Sequence, residues 1–138
     1  MSHEIGYRVE QFVLGRLRQV GIEHTFDDDF YDVKLGNGEL LEIKSCRLSV
    51  RHKWNKPDKT KGEGYRIGRF DFTSEENRDK LWEANAWLCF VVRHREQYML
   101  CGFVRAKELP NRRTFTVHDL RRCQLLDLGE FKEKVKIK

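Results

Sequence analysis

Near the start of the chain, hydrophobic positions recur at helical spacing. Ile5, Val9, Phe12, Val13, Leu17 and Val20 form one stripe, so residues 4–20 are predicted to be an amphipathic helix closed by Gly21. The period then changes. Val33, Leu35, Leu41 and Ile43 alternate with polar neighbours on either side of Gly36-Asn37-Gly38, which predicts two strands, 30–35 and 39–46, joined as a hairpin. Residues 47–69 are polar. Leu48 with Val50, and Tyr65 with Ile67, alternate at the flanks, while Pro57, Gly62 and Gly64 predict an irregular middle. A second helix is expected over 73–83, opened by Thr73 with Glu76 or, less well, by Ser74 with Asn77. The apolar run 87–93 (WLCFVVR) reads as a buried strand, and 98–105 (YMLCGFVR) as its partner across a charged turn at 94–97. A short helix near 117–122 and a last extended piece complete the chain.

The order α-β-β-loop-α-β-β is that of a small α/β domain, a mixed β-sheet flanked by helices. The 138 residues hold no internal repeat or low-complexity block, so one domain spanning 1–138 is expected.

The hairpin carries a concentration of charge, and its register decides what that charge can do, because strand side chains alternate faces. A two-residue loop, Asn37-Gly38, would put Asp32 and Glu42 on opposite faces. A three-residue loop, Gly36-Asn37-Gly38, sets Asp32 against Glu42, with Lys44 on the same face. The apolar residues choose the second register: only there do Val33, Leu35, Leu41 and Ile43 share a face, leaving Asp32, Lys34, Glu42 and Lys44 on the other with Leu40. Opposed Cβ atoms lie roughly 5 Å apart. Two carboxylates at that separation repel unless a cation or a proton sits between them. An ordinary solvent-facing hairpin would also carry charges of this kind, so the fragment alone leaves both readings open.

Lys and Arg number 27 against 22 Asp and Glu, a net charge of +5 that suits a polyanionic partner without proving one. The excess is uneven. Residues 47–69 carry eight Lys and Arg against only Asp58 and Glu63. Cys46, Cys89, Cys101 and Cys123 form no C-x-x-C pair, which argues against a zinc knuckle or a thioredoxin-like motif. Cys89 and Cys101 sit in apolar runs and read as buried small hydrophobes. With no signal peptide and no long apolar stretch, the expectation is a cytoplasmic protein with reduced thiols and no membrane partner.

Tyr31-Asp32 followed by Glu42-Ile43-Lys44-Ser45 resembles the motif of the PD-(D/E)xK nuclease superfamily, which includes restriction endonucleases and archaeal Holliday-junction resolvases. The order of elements from residue 4 to 93 is similar to that superfamily's core, a restriction-endonuclease-like fold. Tyr31 stands where the family often has proline. The resemblance implies a Mg²⁺-dependent DNA endonuclease (with Mn²⁺ as a substitute). In it Asp32, Glu42 and the main-chain carbonyl of Ile43 bind metal, and Lys44 orients or activates the attacking water or stabilises developing charge. Hard oxygen ligands of this type suit Mg²⁺ or Mn²⁺ better than zinc. Related nucleases often carry a glutamate on the first helix, and Glu10 matches in position. The compact size is nearest to resolvases. Residues 73–83 lack the Gln-x-x-x-Tyr of RecB-type exonucleases, and the scattered cysteines do not fit iron–sulfur nucleases.

Since the basic segment follows the metal strand directly, Arg47, Arg51, Lys53, Lys56, Lys59, Lys61, Arg66 and Arg69 are expected to contact backbone phosphates. Trp54, like Tyr65, is placed to stack on bases. Phe70 and Phe72 read as core, Asp71 as a support for the site or a cap, and Asp27-Asp28-Asp29 as a turn. Structure-specific cutting of junction or branched DNA is one form the activity could take, duplex DNA and RNA stay open, and a homodimer would supply the two sites that cutting both strands requires. Two other classes remain: a nucleic-acid-binding module on a nuclease-like fold without catalysis, and a plain protein-interaction domain.

Overall fold

The structure, a computed structural model, describes residues 2–55 and 61–137. Helix α1 (Ser2–Gln19) is followed by β1 (His24–Phe26), β2 (Val33–Leu35), β3 (Leu40–Arg47), β4 (Ser49–Asn55), β5 (Lys61–Ile67) and β6 (Arg69–Asp71). Then come α2 (Glu75–Glu83), β7 (Trp87–His94), β8 (Gln97–Arg105), a 3₁₀ turn at Ala106–Glu108, β9 (Thr114–Thr116), α3 (Val117–Arg121) and α4 (Leu128–Lys134).

The main sheet has the order β1-β2-β3-β7-β8; β3 and β7 run parallel and the other neighbours antiparallel. It is therefore the mixed sheet that the sequence predicts, extended by β1, which the sequence reading did not find. One face is covered by α1 and α4: Val9, Val13, Leu14 and Leu17 pack on Val33, Leu35, Leu41 and Ile43, and Phe131 of α4 stacks on Phe103 with ring centroids 3.9 Å apart. Burying each such aliphatic side chain contributes about 1.5–3 kcal/mol, so the helical stripe and the alternating strands hold one another in place. The other face is covered by α2, α3 and the small β6–β9 sheet, through Phe70, Phe72, Leu81, Trp82, Phe115 and Leu120. Phe70 and Phe72 are core residues, as expected.

Four boundaries differ from the sequence reading. Residues 30–32 lie outside β2, which starts only at Val33. The cap of α2 is Ser74, whose hydroxyl accepts the Asn77 N–H at 3.2 Å, rather than Thr73. The last extended piece is a helix: Asp127 and Glu130 cap α4 reciprocally, a D-x-x-E signature present in the sequence and passed over. The segment 47–69 is largely strand. Among the described residues β4 and β5 pair only with each other, in a ribbon that runs from Ser49↔Ile67 to Asn55↔Lys61. The glycines and proline used to argue for an irregular middle sit within this ribbon or at 56–60, which lie outside the described residues.

At the ribbon's root the chain makes a close crossing. A Cβ on Gly68 would lie 1.7 Å from the Arg47 carbonyl oxygen, so only glycine fits there. Gly68 N–H donates to Leu48 O and Leu48 N–H to Arg93 O, which ties the root to the ends of β3 and β7.

Candidate active site

The hairpin takes the predicted register. Val33 pairs with Leu41 and Lys34 with Leu40, across a three-residue turn in which Gly38 has φ +90°. Glycine adopts that left-handed backbone at no steric cost. Leu35 N–H donates to Glu39 O at 2.8 Å, and Asn37 Oδ1 accepts the Glu39 N–H at 2.9 Å, closing the turn.

Continuing this register sets Asp32 across from Glu42, but the ladder itself ends at Val33. Asp32 instead donates its N–H to Leu41 O, and its Oδ2 accepts the Ile43 N–H at 2.8 Å. The carboxylate takes over the role that β2 gives up, bonding a main-chain donor that the shortened strand leaves facing outward. The Ile43 carbonyl leaves the strand on the same side as its N–H, toward the gap occupied by Asp32.

Glu42 and Lys44 project from the opposite face to Ile43, beside Leu88 and Phe90 in the parallel register with β7. The Glu42 side chain is only 12 % exposed and that of Lys44 26 %, and Lys44 Nζ lies 3.6 Å from Glu42 Oε2. Lys44 Nζ is also 4.9 Å from the centre of the Phe72 ring, a cation–π contact that holds the ammonium over the site. Burial, and then the charge and hydrogen bond of the adjacent Asp32 carboxylate, push Glu42 well above the usual carboxylate range; Lys44 offsets only part of this. A part-buried carboxylate pair with one lysine is thus short of positive charge.

Glu10 joins this group from α1. Its half-buried carboxyl is pushed up to about 7, first by burial and then by the charges of Asp32 and Asp28. The helix glutamate expected from the resemblance therefore does feel the hairpin's charge. Asp28 was missed as a contributor because it sits in a run that reads as a turn. Its neighbours are structural: Asp27 Oδ2 accepts the Tyr31 hydroxyl at 2.6 Å, and Asp29 Oδ1 accepts the Phe30 N–H at 2.7 Å. Asp71 serves the fold as well, accepting the Thr114 hydroxyl at 2.8 Å to tie β6 to β9.

Among the described residues, no group of three or more His, Cys, Asp or Glu side chains is arranged as a ready metal cage. What the hairpin offers is two carboxylates and a main-chain carbonyl, an oxygen-only set whose excess negative charge fits a hard divalent cation.

The expected nucleic-acid residues divide. Arg47 ends β3 exposed, Arg51 is exposed on β4, and Arg69 is exposed on β6. Arg66 is half-buried and donates to the Ile67 carbonyl at 3.2 Å. Lys53 and Trp54 lie on β4 and Lys61 on β5, with Trp54 opposite Gly62 and Lys61 opposite Asn55. Lys56 and Lys59 lie outside the described residues. Tyr65 is 78 % exposed, as a stacking platform would need to be. All four cysteines are free; Cys89 is fully buried as expected, whereas Cys101 is only half-buried. No helix among the described residues is long and apolar enough to cross a membrane.

A family model described as the PD-(D/E)XK nuclease superfamily domain matches residues 1–132. No curated protein and no solved structure shows significant similarity to the chain.

Proposed function

The chain belongs to the PD-(D/E)XK nuclease superfamily, and from that premise we propose that it is a Mg²⁺-dependent DNA endonuclease. The observation that carries this reading is the hairpin geometry. Asp32 is locked to the Ile43 N–H at 2.8 Å, opposite Glu42, with the Lys44 ammonium 3.6 Å from the Glu42 carboxylate.

In this reading Asp32, Glu42 and the Ile43 carbonyl hold the cation. Mg²⁺, or Mn²⁺ in its place, supplies a Lewis acid that polarises the phosphate and acidifies a bound water. The protein's residues do the rest. Asp32, fixed by its main-chain bond, orients the donor set without having to be reorganised during the reaction. Lys44 places a positive charge where the phosphate becomes more negative, and Phe72 beneath it limits its wandering. Glu10, half-buried on α1 and within reach of the Asp32 charge, is a further carboxylate beside this donor set. The β4–β5 ribbon, rooted at the end of β3 and carrying Arg51 and the exposed Tyr65, supplies backbone contacts and a stacking surface. A homodimer would bring a second site to the other strand.

The test is a cleavage panel of labelled linear, flapped and four-way-junction DNAs and single-stranded RNA, with Mg²⁺ or EDTA, run beside Glu42→Ala. Mg²⁺-dependent internal cutting that Glu42→Ala abolishes is expected. Salt-sensitive binding without any cutting would replace this reading with a non-catalytic binding module.

A further inference from the structure

Beyond the hairpin, β3 and β7 run on in parallel to a last register pair, Arg47 and Arg93, with β7 ending one residue later at His94. Like charges in direct register repel and destabilise a sheet. Folding alone therefore gives no reason for the pair. The turn that follows adds Arg95 to the same corner.

Two adjoining cavities open there, both lined by Arg93 and Arg95. One, of about 340 Å³, also has Arg47 and Ser49 in its wall, and so abuts the root of the ribbon. The other, of about 420 Å³, has Arg8 and Glu96. Arg8 is already paired with Glu4 at 2.8 Å. That leaves Arg47, Arg93 and Arg95 against one carboxylate, Glu96. The Nε of Arg93 is buried and has no hydrogen-bond partner among the described residues. A buried donor on a charged group is costly to leave unmet. Arg95 sits in the two-residue turn of the β7–β8 hairpin, between the register partners His94 and Gln97, and its φ of +57° is the backbone such a turn uses.

These features converge on an anion, and their position identifies its kind. Arg47 lies three residues beyond Lys44 on the same strand, an odd offset, so its side chain and that of its register partner Arg93 leave the sheet on the face opposite Glu42 and Lys44; what the corner adjoins is the root of the β4–β5 ribbon at Ser49. A nucleic-acid strand held by the ribbon, which carries Arg51 and the exposed Tyr65, would present phosphates to this corner, one per roughly 3.4 Å of its axis. We propose that Arg47, Arg93 and Arg95 form a phosphate subsite that holds the substrate's sugar–phosphate backbone at the root of the β4–β5 ribbon. The subsite rests on the nuclease reading for its ligand, but binding can be measured without cleavage.

The experiment is equilibrium binding of a short labelled DNA duplex, by fluorescence anisotropy in EDTA across a salt series. The wild type is compared with Arg93→Met, Arg95→Gly and, as a distant control on α3, Arg121→Gln. Each of the first two is expected to weaken binding roughly tenfold at low salt. Each should also flatten the slope of log affinity against log salt by about 0.9, the signature of one lost phosphate contact. Thermal unfolding guards against misfolding. Arg95→Gly relieves the positive-φ backbone, so a loss of affinity without a loss of stability counts for the subsite. Unchanged affinity and slope in both variants, or an equal loss in Arg121→Gln, would overturn it. So would a wild type that binds no polynucleotide. If the wild type cuts DNA while both variants bind normally, the subsite falls and the nuclease reading stands. If it cuts nothing but the binding pattern holds, the subsite stands and the nuclease reading falls.

Discussion

Asp32 is bonded to the main chain of the strand it faces: its Oδ2 accepts the Ile43 N–H at 2.8 Å. One residue thus has two tasks, closing the end of the β2–β3 ladder and presenting a carboxylate to Glu42. The tasks separate by substitution. Asp32→Asn keeps an acceptor for Ile43 but loses the negative charge, so it should fold with nearly wild-type stability and lose metal-dependent cleavage. Asp32→Ala loses both and should in addition be destabilised by about 1–3 kcal/mol, the cost of a buried donor left unmet. Denaturant melts of the two variants beside a cleavage assay check this. Equal stability of the two would show that the Ile43 bond carries no structural weight.

Lys44 is held from two sides, by Glu42 at 3.6 Å and by the Phe72 ring. Lys44→Met keeps much of the side chain's apolar contact and removes its charge. Turnover is expected to fall about 10²–10³-fold, as when one charge-stabilising group is removed from an active site. Substrate affinity in EDTA should change far less. A Lys44→Met variant that cuts at the wild-type rate would remove Lys44 from the chemistry.

The hairpin was the most legible part of this chain because two rules acted on it together. The turn Gly36-Asn37-Gly38 allowed two registers, and the alternation of Val33, Leu35, Leu41 and Ile43 left one. The early end of β2 was not legible. Nothing in Tyr31-Asp32 says that a side chain, rather than a strand, will take the Ile43 N–H. Strand β1 has only three residues, His24–Phe26, too few to show a period. The ribbon was misread because Gly62 and Gly64 weaken strand propensity locally, whereas the long antiparallel ladder with β4 overrides it. Arg47 and Arg93 lie 46 positions apart in sequence, and only the parallel pairing brings them together.

Glu10 gives the apo protein a pH dependence of definite sign. Its carboxyl titrates at about 7 in the folded state against 4.5 in an unperturbed chain. Between those values the folded state keeps a proton that the unfolded chain has released. Its contribution to stability is therefore complete below about pH 4.5 and is lost as pH rises toward 7. Allowing for solvent around a half-buried group, the loss is about 1–2 kcal/mol. Glu42, shifted in the same direction, adds to the trend. In EDTA the melting temperature should fall from pH 5 to pH 8, and Glu10→Gln should flatten that fall. Mg²⁺, which binds the ionised carboxylates, should raise the melting temperature at pH 8 and do little at pH 5. If Glu10→Gln leaves the pH profile unaltered, Glu10 is not part of the carboxylate group.

At the root of the β4–β5 ribbon Gly68 passes over the Arg47 carbonyl with no room for a Cβ. Gly68→Ala must push the ribbon's root away from β3, break the Gly68-to-Leu48 bond, or both. The ribbon pairs with itself and not with the five-stranded sheet, so the core should survive with a loss of about 1–3 kcal/mol, typical of a forced overpacking. Nucleic-acid affinity should fall further than that loss implies, because Arg51 and Tyr65 move with the ribbon while the carboxylates stay in place. Replacing residues 50–66 by a Gly-Gly turn separates the two effects: a folded core, intact Mg²⁺ stabilisation and affinity for DNA reduced roughly tenfold or more are expected. Wild-type affinity in that shortened chain would show that the ribbon takes no part in holding the substrate.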